Sequence, residues 1–259
     1  MDTLIIKLGG SAITNKERRY EVRRKVVERI AKEVKILIKN YKLVLVHGGG
    51  SFGHPTAKEY NIHLGYFSNH QLIGYSKVRY FMTQLNQIIL EYFIKSGVPA
   101  VTLHTSNILK ANDGKISSFN IGLLIEYTKM GFTPVVYGDA VLDEKRGFSI
   151  ISGDQIVSYL AIRLKPIKVI LGTDVDGIYT GNPKKDSNAK LVKTLKISKL
   201  ITIKADKPMI DVTGGIVAKI DEMRKVVKAG IPVIIGNIVS GNLIDLVEEK
   251  TPKYTKIIM

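Results

Sequence analysis

Residues 42–54, KLVLVHGGGSFGH, set an apolar β-branched run directly before three consecutive glycines and a second histidine. The run Leu43-Val44-Leu45-Val46 lacks polar alternation, so both of its faces must be covered, as in a parallel sheet flanked by helices. Working outward, TLIIKL at 3–8, PAVTL at 99–103, TPVVYG at 133–138, IKVILG at 167–172 and PVIIG at 232–236 have the same character. Helical spacing fills the intervals at about 20–39, 71–96, 120–130, 154–164 and 216–229. This alternation predicts an α/β sandwich. Segments 102–118 and 140–151 read as hairpins, the second turning at Lys145-Arg146-Gly147. No repeat, low-complexity tract or linker marks a domain boundary.

The chain has 259 residues, with 39 Lys+Arg against 23 Asp+Glu and a formal net charge of +16. It has no cysteine, which excludes a disulfide scaffold, a zinc-thiolate site and a thiol nucleophile. No apolar run approaches the roughly 18 residues of a membrane span. The opening MDTLIIKLGGSA does not read as a signal peptide, so a soluble cytoplasmic protein without a membrane partner is expected. The positive charge raises the question of nucleic acid, an anionic surface or an anionic small molecule. In KERRYEVRRKVVERIAKEVK, however, Val26, Val27, Ile30, Val34, Leu37 and Ile38 recur at helical spacing with the charges between them, the pattern of a solvated helix face. No aromatic-basic platform, zinc pattern or basic tail supports a nucleic-acid partner.

Five constellations carry chemistry. In KLGGS, Lys7 interrupts an apolar strand, where a lysine needs an anionic partner, and Gly9-Gly10 let the backbone approach a ligand; Ser11, Thr14 and Lys16 follow. A glycine turn with a snorkelling lysine is the plainer alternative, and the GxxxxGK[ST] loop is not present. In HGGGSFGH, Gly48, Gly49 and Gly50 point to close approach by an anion, with His54 as donor to a phosphate or, alternatively, as a cap of the next helix. ISGDQ sets Gly153 and Asp154 at a helix start, where an aspartate is also an ordinary first-turn residue. GTDVDGIYTGNP, 172–183, offers Asp174 and Asp176 for ribose hydroxyls or a metal, though Asp-Gly is also a common turn. DVTGGIVAKIDEM, 211–223, puts Lys219 in the first turn of a helix, where the dipole disfavours a cation unless an anion binds; an exposed lysine is the alternative.

In this order, these motifs resemble the amino acid kinase superfamily over residues 7–219, and within it most closely the isopentenyl phosphate kinase family. KLGGSAITNK, HGGGSFGH with His54, and Gly74-Tyr75-Ser76 carry the narrower likeness. The resemblance implies a three-layer αβα sandwich with a mainly parallel central sheet, forming one domain over 1–259. Its N-terminal lobe, about 1–150, would bind the phosphoryl acceptor and its C-terminal lobe, about 151–259, ATP. It implies transfer from Mg²⁺-ATP to isopentenyl phosphate, a cytoplasmic homodimer, and no nucleic acid or membrane.

Carried over by position, Lys7, Lys16, His54, Asp154 and Lys219 are the catalytic set, with Asp154 holding the lysines. Gly49, Gly50, His54 and Gly153 take the acceptor phosphate. Lys7, Gly9, Gly10, Ser11, Gly50, Thr173, Asp174, Asp176, Gly177, Tyr179, Gly214 and Lys219 take ATP. No metal ligand is assigned, and Gln155 departs from the acidic residue often found after the SGD motif. Such chemistry needs no general base, because a phosphate monoester is largely dianionic at neutral pH. Ile73, Tyr75, Val78, Ala140 and Ile150 are candidates for an apolar tail pocket. The alternatives are a fosfomycin-type or small-acid kinase, a basic nucleic-acid binder, or a non-catalytic nucleotide-binding regulator.

Overall fold

The computed structural model describes residues 1–181, 188–197 and 214–259. Strand β1 (Asp2–Leu8) is buried from Leu4 onward and lies between β2 (Tyr41–His47) and β9 (Lys168–Thr173), parallel to both. Beyond β2 lie β6 (Thr133–Tyr137) and the edge strand β3 (Ala100–Thr102). Beyond β9 lie β11 (Val233–Asn237), then β12 (Tyr254–Ile258) antiparallel to it, then β10 (Thr194–Lys196). The expected α/β sandwich with a mainly parallel sheet is thus found, and each of the six apolar runs forms a strand of it.

Side-chain alternation splits this sheet between two cores. Ile5, Val44, Val46, Val169 and Leu171 face helices α6 (Ile121–Lys129), α7 (Gly153–Leu164) and α8 (Gly214–Lys228). Leu4, Ile6, Leu43, Leu45 and Ile170 face α2 (Arg24–Leu37), α4 (His70–Lys95) and α9 (Leu243–Val247). Every buried aliphatic side chain contributes about 1.5–3 kcal/mol, which is why a central strand apolar on both faces fits only between two helical layers.

The chain outside these layers differs from expectation in two places. Segment 102–118 is not one hairpin: it starts with a short helix, α5 (Thr105–Ile108), and only then pairs β4 (Leu109–Asn112) with β5 (Lys115–Phe119). Together with β7 (Asp139–Asp143) and β8 (Gly147–Ile151) these strands make a second, four-stranded sheet. The glycine run after β2 is not a free loop either. It enters helix α3 (Gly50–Glu59), with Pro55 inside it.

Four strand ends, those of β9, β1, β2 and β6, interlock through three backbone bonds. Gly9 N donates to Gly172 O at 2.8 Å, Gly48 N to Leu8 O at 3.0 Å, and Gly138 N to His47 O at 3.1 Å. A Cβ on Gly10 would fall on the Gly50 amide nitrogen, and one on Gly9 would lie 2.6 Å from Gly172 O. Gly50 itself has φ +48°, against Thr14 and the Gly10 carbonyl. Loop-to-loop packing therefore requires these glycines, in addition to any ligand. Gly10→Ala is expected to destabilise the fold by about 1–3 kcal/mol through overpacking. Chemical denaturation measures this, and an unchanged midpoint would show that the two loops do not need this contact.

Candidate active site

Lys7 is the one charged residue in the buried part of β1, and its side chain leaves the sheet on the face covered by α7. There its Nζ lies 2.5 Å from Asp154 Oδ2. Asp154 is placed by the start of α7, where Ser152 and Gln155 form a capping box: Gln155 N donates to Ser152 Oγ, and Ser152 N donates to Gln155 Oε1. Gln155 Nε2 also donates to Gly114 O in the β4–β5 turn. Gln155 thus positions the helix start, which accounts for an amide where an acid was expected.

Lys219 reaches the same carboxylate, 3.1 Å from Asp154 Oδ1 and 3.3 Å from Oδ2. It sits in the second turn of α8, which begins at Gly214, so the expected first-turn conflict with the helix dipole does not arise. Two ammonium groups sharing one carboxylate leave a net positive charge in a largely buried spot, where an anion is the natural complement. Lys16 stands apart from this group: its Nζ bonds Asp174 Oδ2 at 2.9 Å, beside Ser11 Oγ at 2.6 Å from Oδ1.

These groups line one cleft of about 1140 Å³. Lys7, Gly9, Gly10, Ser11 and Lys16 form one edge, and Gly49, Gly50 and His54 another. Gly153 and Asp154 come from α7, Thr173, Asp174, Gly177 and Tyr179 from the segment after β9, and Lys219 from α8. His54 lies in the second turn of α3, so it projects from a helix and does not cap one. Asp176 is not in this wall. Its carboxylate accepts from Tyr179 Oη and Asn237 Nδ2 and faces a smaller hollow with Ser240 and Lys253. Gly214 opens α8, while Asp211, Thr213 and Pro183 lie outside the described residues.

An apolar region adjoins the glycine edge. Tyr60, Ile62, Val78, Met82, Tyr137, Ala140 and Phe148 form a third small core, and Val78, Met82 and Ile150 reach the cleft. Of the expected tail contacts, Val78 and Ile150 are thus on the wall. Tyr75 packs on Phe148, Ala140 is buried behind the surface, and Ile73 is 58% exposed on the outer side of α4. Sequence reasoning missed Met82 and Asp139. The only trace of Asp139 was an acid set between apolar runs, TPVVY-Gly-Asp-AVL.

Residues 2–237 match the Amino acid kinase family. The chain belongs to that family. Isopentenyl phosphate kinase of Methanothermobacter thermautotrophicus is 40% identical over 248 residues, covering 93% of both chains. Isopentenyl phosphate kinase of Methanocaldococcus jannaschii is 38% identical over 231 residues, covering 85% of this chain and 86% of that one. A solved structure of an isopentenyl phosphate kinase superposes with a TM-score of 0.86 at 36% identity, over 98% of this chain and 99% of that one.

Within this amino acid kinase cleft, burial sets the protonation states. Burial first, and the Lys219 charge second, draw the Lys7 ammonium down to about 7 against the opposing pull of Asp154. Burial pushes the Asp154 carboxyl up, but the two lysines outweigh it and hold it below its ordinary value. Burial, then Lys7, lowers the His54 imidazole, so the neutral ring donates one N–H near pH 7. Burial lowers His47 to about 4; its Nδ1 and Nε2 lie 3.1 Å from Gly48 O and 3.3 Å from Asn86 Oδ1, the places of a structural ring beneath the glycines.

A polyphosphate placed beside Lys7 would restore its charge. At pH 8 the ligand-free lysine is mostly neutral and one beside bound phosphates would be charged, so ATP binding there should take up close to one proton; at pH 6 uptake should be near zero. Calorimetry in buffers of differing ionisation enthalpy reads this directly. Equal uptake at both pH values would contradict the lowered Lys7 value.

Proposed function

We infer that this chain transfers the γ-phosphoryl group of ATP to isopentenyl phosphate, giving isopentenyl diphosphate and ADP. The observation that carries this reading is a single cleft joining a lysine pair on a shared carboxylate to an apolar wall of Val78, Met82 and Ile150. The polar part suits two phosphorylated ligands, and the apolar part suits a short hydrocarbon tail better than a carboxylic acid. The curated relatives named isopentenyl phosphate kinase support the same acceptor.

In the proposed reaction a deprotonated oxygen of the acceptor phosphate attacks the γ-phosphorus. The bond from that phosphorus to the β–γ bridging oxygen breaks, and ADP leaves with the electron pair. No proton need be removed from the nucleophile, so the burden is to hold two polyanions in line and to offset the charge on the transferring group. Lys7 and Lys219 would flank that group, kept apart and oriented by Asp154, while Lys16 would leave Asp174 to reach the phosphates. His54 N–H and the Gly49–Gly50 and Gly153 backbone would hold the acceptor phosphate. Ser11, Gly9, Gly10, Thr173, Asp174 and Tyr179 would lie on the nucleotide side.

Mg²⁺ would enter as part of the MgATP substrate, held mainly by phosphate oxygens, because Asp154 and Asp174 are already bonded to lysines. Acceptor binding by the first 150 or so residues and ATP binding by the remainder belong to the same proposal, as do the homodimer and the cytoplasmic location, which rest on the family likeness.

A coupled assay for ADP release with isopentenyl phosphate, fosfomycin and a set of small carboxylic acids tests the assignment. Isopentenyl phosphate should show the highest kcat/KM, and preference for fosfomycin or an acid would overturn it. In the same assay His54→Ala should raise the acceptor KM by about 10–100-fold, the cost of one lost bond to a charged group. ATP affinity should change by less than about twofold. Equal losses for both substrates would remove His54 from the acceptor side.

A further inference from the structure

The acceptor side of the cleft contains a buried polar cluster that the reaction above does not use. Asp139, the first residue of β7, lines the cleft although its side chain is only 1% exposed. Its register partner is Ile151, and the next pair along is Ala140 with Ile150, so the carboxyl stands beside the apolar wall. Arg79 follows Val78 on α4 and approaches from the other side.

The bonding of this cluster is incomplete. Asp139 Oδ1 accepts from the Ala140 amide at 2.9 Å. Oδ2 faces Arg79 Nε at 3.8 Å, beyond hydrogen-bond range. Arg79 Nε is buried without a hydrogen-bond partner, its fork being directed instead at Asn107 Oδ1. Ser106 adjoins Asp139, yet its Oγ is also buried without a partner of normal geometry. Behind the wall, then, two buried polar atoms, Arg79 Nε and Ser106 Oγ, lack a partner beside Asp139, the one of the three residues that lines the cleft. Leaving such groups unpaired costs about 1–3 kcal/mol apiece, so the place fits a further hydrogen-bonding group.

The charged and titratable groups facing Asp139 are Arg79 and Tyr75 of α4 and Tyr137 of β6; His104 lies beyond them, its Nδ1 2.7 Å from Tyr137 Oη. Burial raises the Asp139 carboxyl to about 7, against the pull of Arg79, so near neutrality it can either accept from a hydroxyl or donate to one.

Resting on the reading of this cleft as an alkyl phosphate site, we propose that Asp139 is a specificity-determining residue that gives the tail pocket a polar spot, so that the enzyme accepts short alkyl phosphates carrying a hydroxyl on the chain. Val78, Met82 and Ile150 hold the hydrocarbon, while Asp139, with Arg79 and Ser106 behind it, takes the hydroxyl. A wholly apolar pocket disfavours an added hydroxyl by about 100-fold, whereas a site that bonds it does not.

The test compares 3-methylbutyl phosphate with its analogues hydroxylated at C2, C3 and C4, with isopentenyl phosphate as reference. For the native protein at least one analogue should stay within about threefold of the parent in kcat/KM. Asp139→Leu should widen that ratio by about tenfold or more, the ratio being taken within each variant so that any general loss of turnover cancels, and Asp139→Asn, which can still hydrogen-bond, should keep the tolerance. Losses of about 100-fold for all three analogues in the native protein would overturn the proposal, as would a ratio untouched by Asp139→Leu; the cluster would then hold water only. If Asp139→Leu does not fold, the native ratios and Asp139→Asn decide. Failure of isopentenyl phosphate itself would instead overturn the acceptor assignment, so the two failures are distinguishable.

Discussion

The site depends on the meeting of strand ends β9, β1, β2 and β6. Within each strand the ladder bonds are those of any parallel sheet, but here the ladder runs on past the strand ends, with Gly9, Gly48 and Gly138 each donating to the neighbouring strand or its following residue. Gly9 fits against Gly172 O and Gly10 against the Gly50 backbone at distances no side chain allows. Four strand ends are thereby drawn to one edge of the sheet, and the single helical turn Gly10–Ile13 together with α3 and α7 start around a common cleft. Ligands of open α/β sheets bind at such carboxyl ends.

What this closure achieves is a concentration of charge that the chain would otherwise resist. Lys7 could not occupy a central strand without Asp154, and Asp154 is held in the first turn of α7 by that helix's capping box. Lys219 then adds a second ammonium to a carboxylate already paired, which leaves the spot short of negative charge. The cleft is thus preorganised for a polyanion, and its cost in the ligand-free chain is visible in the lowered Lys7 value. The formal charge of +16 divides accordingly: a few lysines converge here, and others lie scattered on the surface, on solvated helix faces such as that of α2 and in the connecting segments.

Much of this was legible in the chain. Runs apolar on both faces could only be central strands, so the sheet and the helices covering it followed from period and composition. Lys7 and Lys219 stood out as charges in unfavourable places and His54 by the glycines before it, whereas Asp154 also read as an ordinary first-turn residue. What was not legible depended on tertiary register. The three glycines after β2 read as an anion loop, whereas Gly48 and Gly50 are also needed for the contact with Gly10, and Gly49 packs on Met82 and Gly53. Asp176 shared a motif with Asp174 but turns to Asn237, because the side-chain direction in that segment is set by β11 and not by local pattern. Ile73 and Val78 both suited an apolar stripe, and only the way α4 lies on α3 separates the exposed one from the one at the cleft. Asp139 was invisible for a similar reason, since its meaning comes from Arg79 and Ser106, far away in sequence.

The central claim is that one carboxylate, Asp154, holds two lysines where the phosphoryl group passes. Steady-state kinetics of Asp154→Asn with MgATP and isopentenyl phosphate tests it most directly. The side chain keeps its shape but loses the charge that orients Lys7 and Lys219, so kcat should fall by about 100-fold or more while both KM values move by less than about threefold. A near-normal kcat, or a loss confined to KM, would contradict the account.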